Sequence, residues 1–306
     1  MKDFKVFAGR DANSFRTFTE KPHEIRNDFD RDRDRILYSK AFRRLSGKTQ
    51  VFLAGNDDHL RTRLTHTLEV SQISNTISKC LGINETLTEA ISLGHDIGHT
   101  PFGHVGERTL NYIMNGCYLI KDFNKNLPEN EKGFKHNWQG LRVVSDLEQL
   151  NKNYFGLNLT DYTMWGILNH SNKRYKPCNR RSVQNTCRLL LKGDKCNNKP
   201  KDEFSVDFYN RYDILFDENS WTIEALIVSQ ADEIAQRHHD IEDGIESNII
   251  NILELIEVFQ ECFSEYLSDL EKELVEYIRV EKEKIYYVPA MSKLIVNFLK
   301  IGRAHV

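Results

Sequence analysis

The stretch Gly94-His95-Asp96-Ile97-Gly98-His99-Thr100-Pro101-Phe102-Gly103-His104 decides the fold expected of this chain. It places three histidines and an aspartate within eleven residues. His95 and Asp96 are adjacent, so they can bind one metal ion only where the backbone turns, and Gly94 and Gly98 permit such a turn. Pro101 is expected to end the helical pattern that precedes it. We therefore expect the rest of the chain to supply partners for this turn.

The composition bounds the class of protein. The chain has 306 residues, 40% hydrophobic and 28% charged, with a formal net charge of −3. This length can bury a large core, as one large domain or two small ones, and the small net charge gives no general reason to expect nucleic-acid or membrane binding. No apolar run is long enough to span a bilayer, and the N-terminus has no apolar signal segment. The six irregularly spaced cysteines then predict reduced thiols and a cytoplasmic location.

Polar side chains fall on the apolar faces of three predicted helices. These helices are predicted over residues 64–81, 85–95 and 221–239. His66, His95 and Asp232 lie on the apolar faces at helical spacing. A lone buried histidine is usually a hydrogen-bonded core residue, but an aspartate within an apolar stripe is costly unless it is paired or binds a metal. Together with Asp96, these residues are candidate ligands of one ion.

Two imidazoles and two carboxylates form a mixed nitrogen and oxygen donor set. The set, His66, His95, Asp96 and Asp232, suits Mn²⁺, Fe²⁺ or Co²⁺, and also Mg²⁺. Four protein ligands leave positions on an octahedral ion for water and a substrate oxygen, and the ion would polarise a phosphoryl group. The residues alone therefore predict a helical metallohydrolase that acts on a phosphorylated substrate.

The other segments are assigned by their patterns. Residues 1–30 are expected to form an N-terminal arm, 31–245 the catalytic domain, and 246–300 C-terminal helices for packing or subunit contact. Ile36, Leu37, Ala41 and Leu45 predict an apolar helical stripe beside a mostly solvated charged flank, and residues 50–53 a short strand or extended link. Residues 301–306 match the translation of a common sequencing adapter, so we expect the natural protein to continue past Lys300.

Residues 171–203 form a basic insertion. They carry ten lysines or arginines against three acidic residues, and also Cys178, Cys187 and Cys196. The spacing lacks the close cysteine pairs of structural zinc sites, which favours free thiols. The basic charge could contact nucleic acid or polyphosphate, although a solvated insertion is the simpler interpretation.

A series of motifs occurs in order within residues 25–245. They are Arg31–Ile36, Ser39–Leu45, Gly47–Phe52, Arg63–Val70, Gly94–His104 with Gly106-Glu107, and Phe134–Gln139. Together they resemble the bacterial HD-domain deoxyguanosinetriphosphate triphosphohydrolases. The resemblance implies an all-α fold, an HD-domain helical bundle with minor irregular or short β insertions. It also implies hydrolysis of dGTP, or of dNTPs in general, to deoxynucleoside and inorganic triphosphate.

The resemblance implies roles for single residues. The family's metal ligands are matched by His66, His95, Asp96 and Asp232. Its catalytic histidine and the acidic partner of that histidine are matched by His104 and Glu107. Its phosphate contacts are matched by Arg63 and His136, and its sugar contacts by Asp240 and, less closely, Arg44. One helical turn can bring His104 and Glu107 together, and His104 would act at the α-phosphorus as proton donor or as the group that positions water. Gln236 departs from the family's common tyrosine, which puts the discrimination of the sugar in doubt.

Two other functions compete with this interpretation. One is a nucleotidase or cyclic-nucleotide phosphodiesterase on the same HD scaffold, and the other is a nucleic-acid-binding regulator that uses the basic insertion. The resemblance further implies a homo-oligomer and control by nucleotides or single-stranded DNA, with no membrane partner. The sequence does not determine the preferred base, the metal used in the cell or an activating nucleotide.

Overall fold

The structure is a computed structural model, and the residues that it describes fold mainly into helices. The described residues are 4–48, 62–117, 120, 123–124, 126–173, 175, 204–215, 222–281, 286–291 and 293–294. Among them, β pairing is limited to two isolated bridges, Arg16 with Thr160 and Gln149 with Gly156. This confirms the predicted all-α class.

The described ranges contain ten α-helices and several shorter helical turns. The α-helices are α1 (Asp28–Tyr38), α2 (Lys40–Arg43), α3 (Arg63–Leu81), α4 (Glu85–Gly94), α5 (Gly103–Met114), α6 (His136–Arg142), α7 (Asp161–Asn169), α8 (Ile223–Glu246), α9 (Ile252–Phe263) and α10 (Asp269–Val280). Single turns of 3₁₀-helix cover Phe4–Phe7, Asp11–Asn13, Arg44–Gly47, Glu129–Glu131 and Ser264–Tyr266, a longer one covers Asp207–Leu215, and a π-helical turn covers Val143–Leu147.

The chain divides into two compact units, residues 1–229 and 230–306, with the boundary inside α8. The predicted limits of the arm, the catalytic domain and the C-terminal helices stay predictions. The second unit has an apolar cluster of its own, which includes Ile256 and Phe259 from α9 and Val275 and Ile278 from α10.

Helix α4 is the central helix of the first unit. It packs against α1, α3 and α7, and Ile91 is fully buried. The hydroxyls of Ser92 and Ser74 are 2.8 Å apart and link α4 to α3, so these buried polar groups are paired. A Cβ on Gly94 would lie 2.6 Å from Ile167 Cδ1, so the glycine allows α7 to approach the end of α4. Because of this packing, the residues that follow Gly94 lie in the interior of the first unit.

The predicted stripe from Ile36 to Leu45 is interrupted by a cap. Ser39 has an extended conformation, and its side chain accepts a hydrogen bond from the Phe42 amide at the start of α2. The chain therefore changes direction between α1 and α2. Leu37 is 36% exposed, and Phe42 is buried instead. The prediction that Leu37 belongs to the apolar stripe was wrong, because Leu37 follows the fully buried Ile36 in α1 and successive residues of a helix point about 100° apart.

The N-terminal arm is packed on the first unit. The guanidinium of Arg16 lies 2.6 Å from Asp32 Oδ1, and Asp32 Oδ2 accepts hydrogen bonds from the Thr160 amide and hydroxyl. The Gly9 amide donates to Glu224 Oε1 at 3.0 Å. Asp32 is fully buried, so this member of the charged run is an exception to the solvated flank that the sequence predicted.

Some predictions lie outside the described residues. These are the strand at residues 50–53, the basic insertion apart from 171–173 and 175, including its three cysteines, and residues 301–306. A search of the described helices finds none with the length and apolar character to cross a membrane.

Candidate functional site

The backbone turns directly after α4. The helix ends at Gly94, where the Ile97 amide donates to the Gly94 carbonyl at 3.3 Å. The sequence predicted this helix over residues 85–95, and the tighter turn bonds replace the helical ones well before Pro101. The turn brings His95 and Asp96 to one place, as a shared ion would require.

Gly98 allows this turn to contact α6. A Cβ on Gly98 would lie 2.0 Å from the Gly140 amide nitrogen and 2.2 Å from the His136 carbonyl oxygen. Both are backbone atoms, which cannot move aside as a flexible side chain can. The absence of a side chain at Gly98 therefore brings His136, at the start of α6, close to the turn.

His66, His95 and Asp96 form a buried group that could hold a metal ion. One ligand atom from each lies within 4.8 Å of the others. His95 Nδ1 donates to the Ser92 carbonyl at 2.6 Å, and His95 Nε2 lies 3.7 Å from Asp96 Oδ1. Metal-binding histidines commonly donate their second ring nitrogen to a carbonyl in this way. The donor set and its hydrogen bonding therefore fit a divalent cation.

Arg63 balances the charge of this group. Its Nη1 lies 2.5 Å from Asp96 Oδ2, and both side chains are buried. Burial raises the pKa of Asp96, but Arg63 and the neighbouring histidines outweigh burial and hold that pKa well below its usual range. Asp96 is therefore a charged carboxylate, the form that binds a cation.

Glu107 is the centre of a second group. Its Oε2 lies 2.7 Å from His136 Nδ1 and 3.2 Å from His104 Nδ1. Its Oε1 accepts from Lys135 Nζ at 3.0 Å and from the Tyr175 hydroxyl at 2.6 Å. Burial would raise the pKa of Glu107, but its bonds to His104 and His136 and the charge of Lys135 keep that pKa far below the usual range. The carboxylate is therefore charged and orients both imidazoles.

Buried imidazoles connect the two groups. His99 stacks on His136 with ring centroids 4.5 Å apart, and the rings of His95 and His170 are 5.2 Å apart. Burial, helped by the nearby His136, holds the pKa of His99 well below its usual range, so His99 is neutral. His104 differs from these residues, because half of its side chain is exposed and can meet a substrate.

A cavity of about 710 Å³ adjoins the turn after α4. Its lining includes His99 and three basic side chains, Lys40, Arg44 and Lys48. Burial lowers the pKa of the Lys48 ammonium to about 8. Arg44 and Lys48 therefore lie where an anion in this cavity would meet them.

Asp232 and Asp240 lie on α8 in the second unit. Asp232 is half-buried, and Asp240 and Gln236 are exposed. Their assignments, Asp232 as a metal ligand and Asp240 as a sugar contact, stay predictions. Within the first unit, the structure brings the three predicted ligands together, and it places His104, Glu107 and His136 in one hydrogen-bonded group.

Four site residues were not predicted from the sequence: His99, Lys135, His170 and Tyr175. His99 and Lys135 lie in motifs that were quoted but received no role. His170 follows the last residue of α7 and contacts a carbonyl three residues earlier, as His95 does after α4. The sequence held no specific signal for His170, because the shared contact is visible only in the structure. Tyr175 lies in the basic insertion, where the charge pattern gave no indication of a site.

The chain is similar to known proteins over most of its length. The model of the HD domain family matches residues 63–237. The deoxyguanosinetriphosphate triphosphohydrolase-like protein of Wolinella succinogenes is 39% identical over 290 residues, which are 92% of this chain and 67% of that protein. Proteins of the same name from Bartonella quintana and Caldanaerobacter subterraneus are 40% and 42% identical, over 84% and 76% of this chain and 56% and 50% of theirs. The chain thus spans between half and two thirds of the length of these curated relatives.

The first unit is a helical domain that gathers two histidines and an aspartate at one buried point, where they could hold a metal ion. The chain belongs to the HD-domain family, in the group whose curated members are named deoxyguanosinetriphosphate triphosphohydrolase-like proteins.

Proposed function

We propose that this chain hydrolyses deoxynucleoside triphosphates, dGTP or dNTPs in general, to deoxynucleoside and inorganic triphosphate. The observation that carries the proposal is the charged Glu107 carboxylate, which orients His104 and His136 beside the group of His66, His95 and Asp96. The names of the relatives support the same substrate class.

A divalent cation would be held by His66, His95 and Asp96, with Asp232 as the fourth ligand that the family resemblance assigns. The nitrogen and oxygen donors suit Mn²⁺, Co²⁺ or Fe²⁺, and Mg²⁺ is the further candidate. When bound, the ion would polarise a phosphoryl oxygen. Arg63 keeps Asp96 charged for this role.

His104 is proposed to act at the α-phosphorus. Its Nδ1 faces the charged Glu107, an acceptor, so this nitrogen carries a hydrogen and the exposed ring can use Nε2. Water forms a bond to the α-phosphorus, the bond from phosphorus to O5′ breaks, and O5′ receives a proton. His104 serves as the proton donor or as the group that positions the water, while Glu107 orients the ring.

Cationic side chains would hold the triphosphate. Arg63 and His136 are the proposed phosphate contacts, and Arg44 with Lys48 lines the adjoining cavity. Arg44 is also the looser match to a sugar contact, and Asp240 is assigned to the sugar 3′-hydroxyl by resemblance.

A dNTP substrate would place the enzyme in the cytoplasm. We further propose a homo-oligomer and a nucleotide or single-stranded DNA as effector, both by the family resemblance.

Product analysis tests the proposal. Each dNTP and rNTP is incubated with the protein and Mn²⁺ or Mg²⁺, and the products are separated by anion-exchange chromatography. Inorganic triphosphate and a deoxynucleoside are expected, and orthophosphate or pyrophosphate would contradict cleavage of the bond between the α-phosphorus and O5′. A matched panel of nucleoside monophosphates and cyclic nucleotides tests the competing nucleotidase or phosphodiesterase function.

A further inference from the structure

The hydroxyl of Tyr175 contacts the buried carboxylate at the centre of the candidate catalytic group. It lies 2.6 Å from Glu107 Oε1, a distance typical of a hydrogen bond from a hydroxyl to a charged carboxylate. The hydroxyl has a single hydrogen, which it shares with the Phe134 carbonyl at 2.9 Å and directs mainly to the closer, charged oxygen. Burial and the charge of Glu107 raise the pKa of Tyr175 far above its ordinary value, so the hydroxyl keeps this hydrogen.

The two oxygens of Glu107 have different partners. Oε1 accepts from Tyr175 and from Lys135 Nζ. Oε2 contacts His136 Nδ1 at 2.7 Å and His104 Nδ1 at 3.2 Å. The last torsion of a glutamate side chain has broad minima, so the partners of Oε1 determine where Oε2 points. The contact with His104 is the longest of the four, and it is therefore the first that a rotated carboxylate would lose.

The ring of Tyr175 is held in place independently of its hydroxyl. Lys135 Nζ lies 4.5 Å from the ring centroid, and the ring of Phe204 packs edge-on with its centroid 6.2 Å away. A cation and an aromatic edge are both attracted to aromatic rings in this way. Replacement of Tyr175 by phenylalanine keeps both contacts and removes only the hydroxyl, so the effect of the hydroxyl can be measured separately.

We propose that Tyr175 is a positioning residue, and that its hydroxyl holds Glu107 in the orientation that serves His104. The inference rests on the proposed function, because it is His104 that acts on the substrate there. Tyr175 acts only through the carboxylate, since its hydroxyl is directed to Glu107 and Phe134. We therefore expect the loss of this hydroxyl to change kcat and to leave KM close to the wild-type value.

Histidine nitrogen resonances test this orientation without any nucleotide. The intact chain is labelled with ¹⁵N-histidine and measured with Mg²⁺ at alkaline pH, where an imidazole ring holds one hydrogen, and the spectrum of His104→Ala assigns the His104 signals. In the wild type, these signals are expected to place the hydrogen on Nδ1, which faces Glu107. In Tyr175→Phe, they are expected to shift toward an average of the two tautomers, while those of His136 stay unchanged.

Kinetics in two backgrounds test whether Tyr175 acts through His104. We expect Tyr175→Phe to lower kcat for dNTP hydrolysis about 10–100-fold, the range typical of contacts that orient a site residue. In the His104→Ala background, the same substitution should cause no further loss, because the contact that it disturbs is already absent. Tyr212→Phe is the matched control and should behave as the wild type, since it removes the hydroxyl of another buried tyrosine from a carboxylate, that of Asp146.

An equal loss of kcat in both backgrounds would overturn the proposal, because a general structural effect does not depend on His104. Unchanged His104 resonances in Tyr175→Phe would overturn it as well. Circular dichroism checks that the variant folds, and if it does not, the wild-type spectrum decides, since a hydrogen on Nε2 of His104 would contradict the assigned contact. The resonances need no substrate, so a chain that shows the expected shift and fails to hydrolyse dNTPs would contradict only the proposed function.

Discussion

At the residue scale, Glu107 is the charged carboxylate at the centre of the candidate catalytic group. Four side chains contact its two oxygens, and the carboxylate stays ionised although it is buried. His104 is the exposed member of that group, with half of its side chain accessible. This burial supports the proposed roles, in which Glu107 orients the ring of His104 and His104 meets the substrate.

Replacing His104 by alanine separates catalysis from metal binding. We expect His104→Ala to retain its metal and to lose turnover by about 10²–10⁴-fold, the range typical of a lost general acid or base. The measurements are kcat for dNTP hydrolysis and metal content after dialysis. Loss of metal from this variant would instead identify His104 as a ligand. His23→Ala, at an exposed site on the arm, is the matched control and should keep both properties.

Lys48 predicts a pH dependence of substrate binding. Its ammonium is charged below a pKa of about 8 and loses its charge as the pH rises through that value. The attraction for a triphosphate therefore weakens on the alkaline side, and a lost contact of about 1 kcal/mol raises KM about fivefold. Lys48→Arg keeps its charge and should remove this rise, because arginine stays protonated.

The experiment compares KM across pH 8 for the wild type, for Lys48→Arg and for Lys40→Arg, which alters another lysine of the same cavity. We expect Lys40→Arg to follow the wild type. Identical profiles for Lys48→Arg and the wild type would show that Lys48 does not contact the substrate.

At the element scale, the contact of the turn after α4 with α6 depends on Gly98. A methyl group at Gly98 would meet the backbone of Gly140 and His136. We expect Gly98→Ala to lower the melting temperature, since forced overpacking costs about 1–3 kcal/mol, and to lower kcat because His136 would be displaced. Gly47→Ala is the control, as an added Cβ there meets no described atom within 4 Å. Equal melting temperatures for the two variants would contradict the assigned contact.

The attachment of the arm predicts a loss of stability in acid. Burial raises the pKa of Glu20, but hydrogen bonds from Tyr154, Asn158 and Arg35 outweigh it and lower that pKa from 4.5 to about 2. A lowered folded-state pKa means that the stabilisation is complete above pH 4.5 and is lost as the pH falls toward 2. The melting temperatures of the wild type and Glu20→Gln should therefore differ at neutral pH and converge in acid.

Glu129→Gln, at an exposed glutamate, is the control and should follow the wild type throughout. A difference between the wild type and Glu20→Gln that stays constant down to pH 2 would contradict a charged Glu20 as its cause.

Helical periodicity predicted which residues lie in the middle of the helices better than it predicted where the helices begin and end. The cores of α3 and α4 followed from apolar spacing, and so did the inward positions of His66 and His95. The break at Ser39 did not, because a serine cap is a local hydrogen bond that the apolar spacing does not record. Burial of Asp32 depends on Arg16 and Thr160, which are distant in sequence.

At the scale of the whole molecule, the motifs predicted which residues belong to the candidate site. They did not predict which of these residues contact one another, because the contacts join distant parts of the sequence. Asp96 is paired with Arg63, 33 positions away, and Glu107 with His136, 29 positions away. His170 received no role because a single histidine at the end of an apolar helix has no distinctive spacing. Asp232 is still assigned by resemblance and by its position in an apolar stripe.

The most direct test of the central claim is hydrolysis of dGTP in water labelled with ¹⁸O, with the products analysed by ³¹P nuclear magnetic resonance and mass spectrometry. Attack at the α-phosphorus forms the new bond there, so we predict one labelled oxygen in the inorganic triphosphate and none in the deoxynucleoside. A label in the deoxynucleoside, in orthophosphate or in pyrophosphate would contradict the reaction assigned to His104 and Glu107.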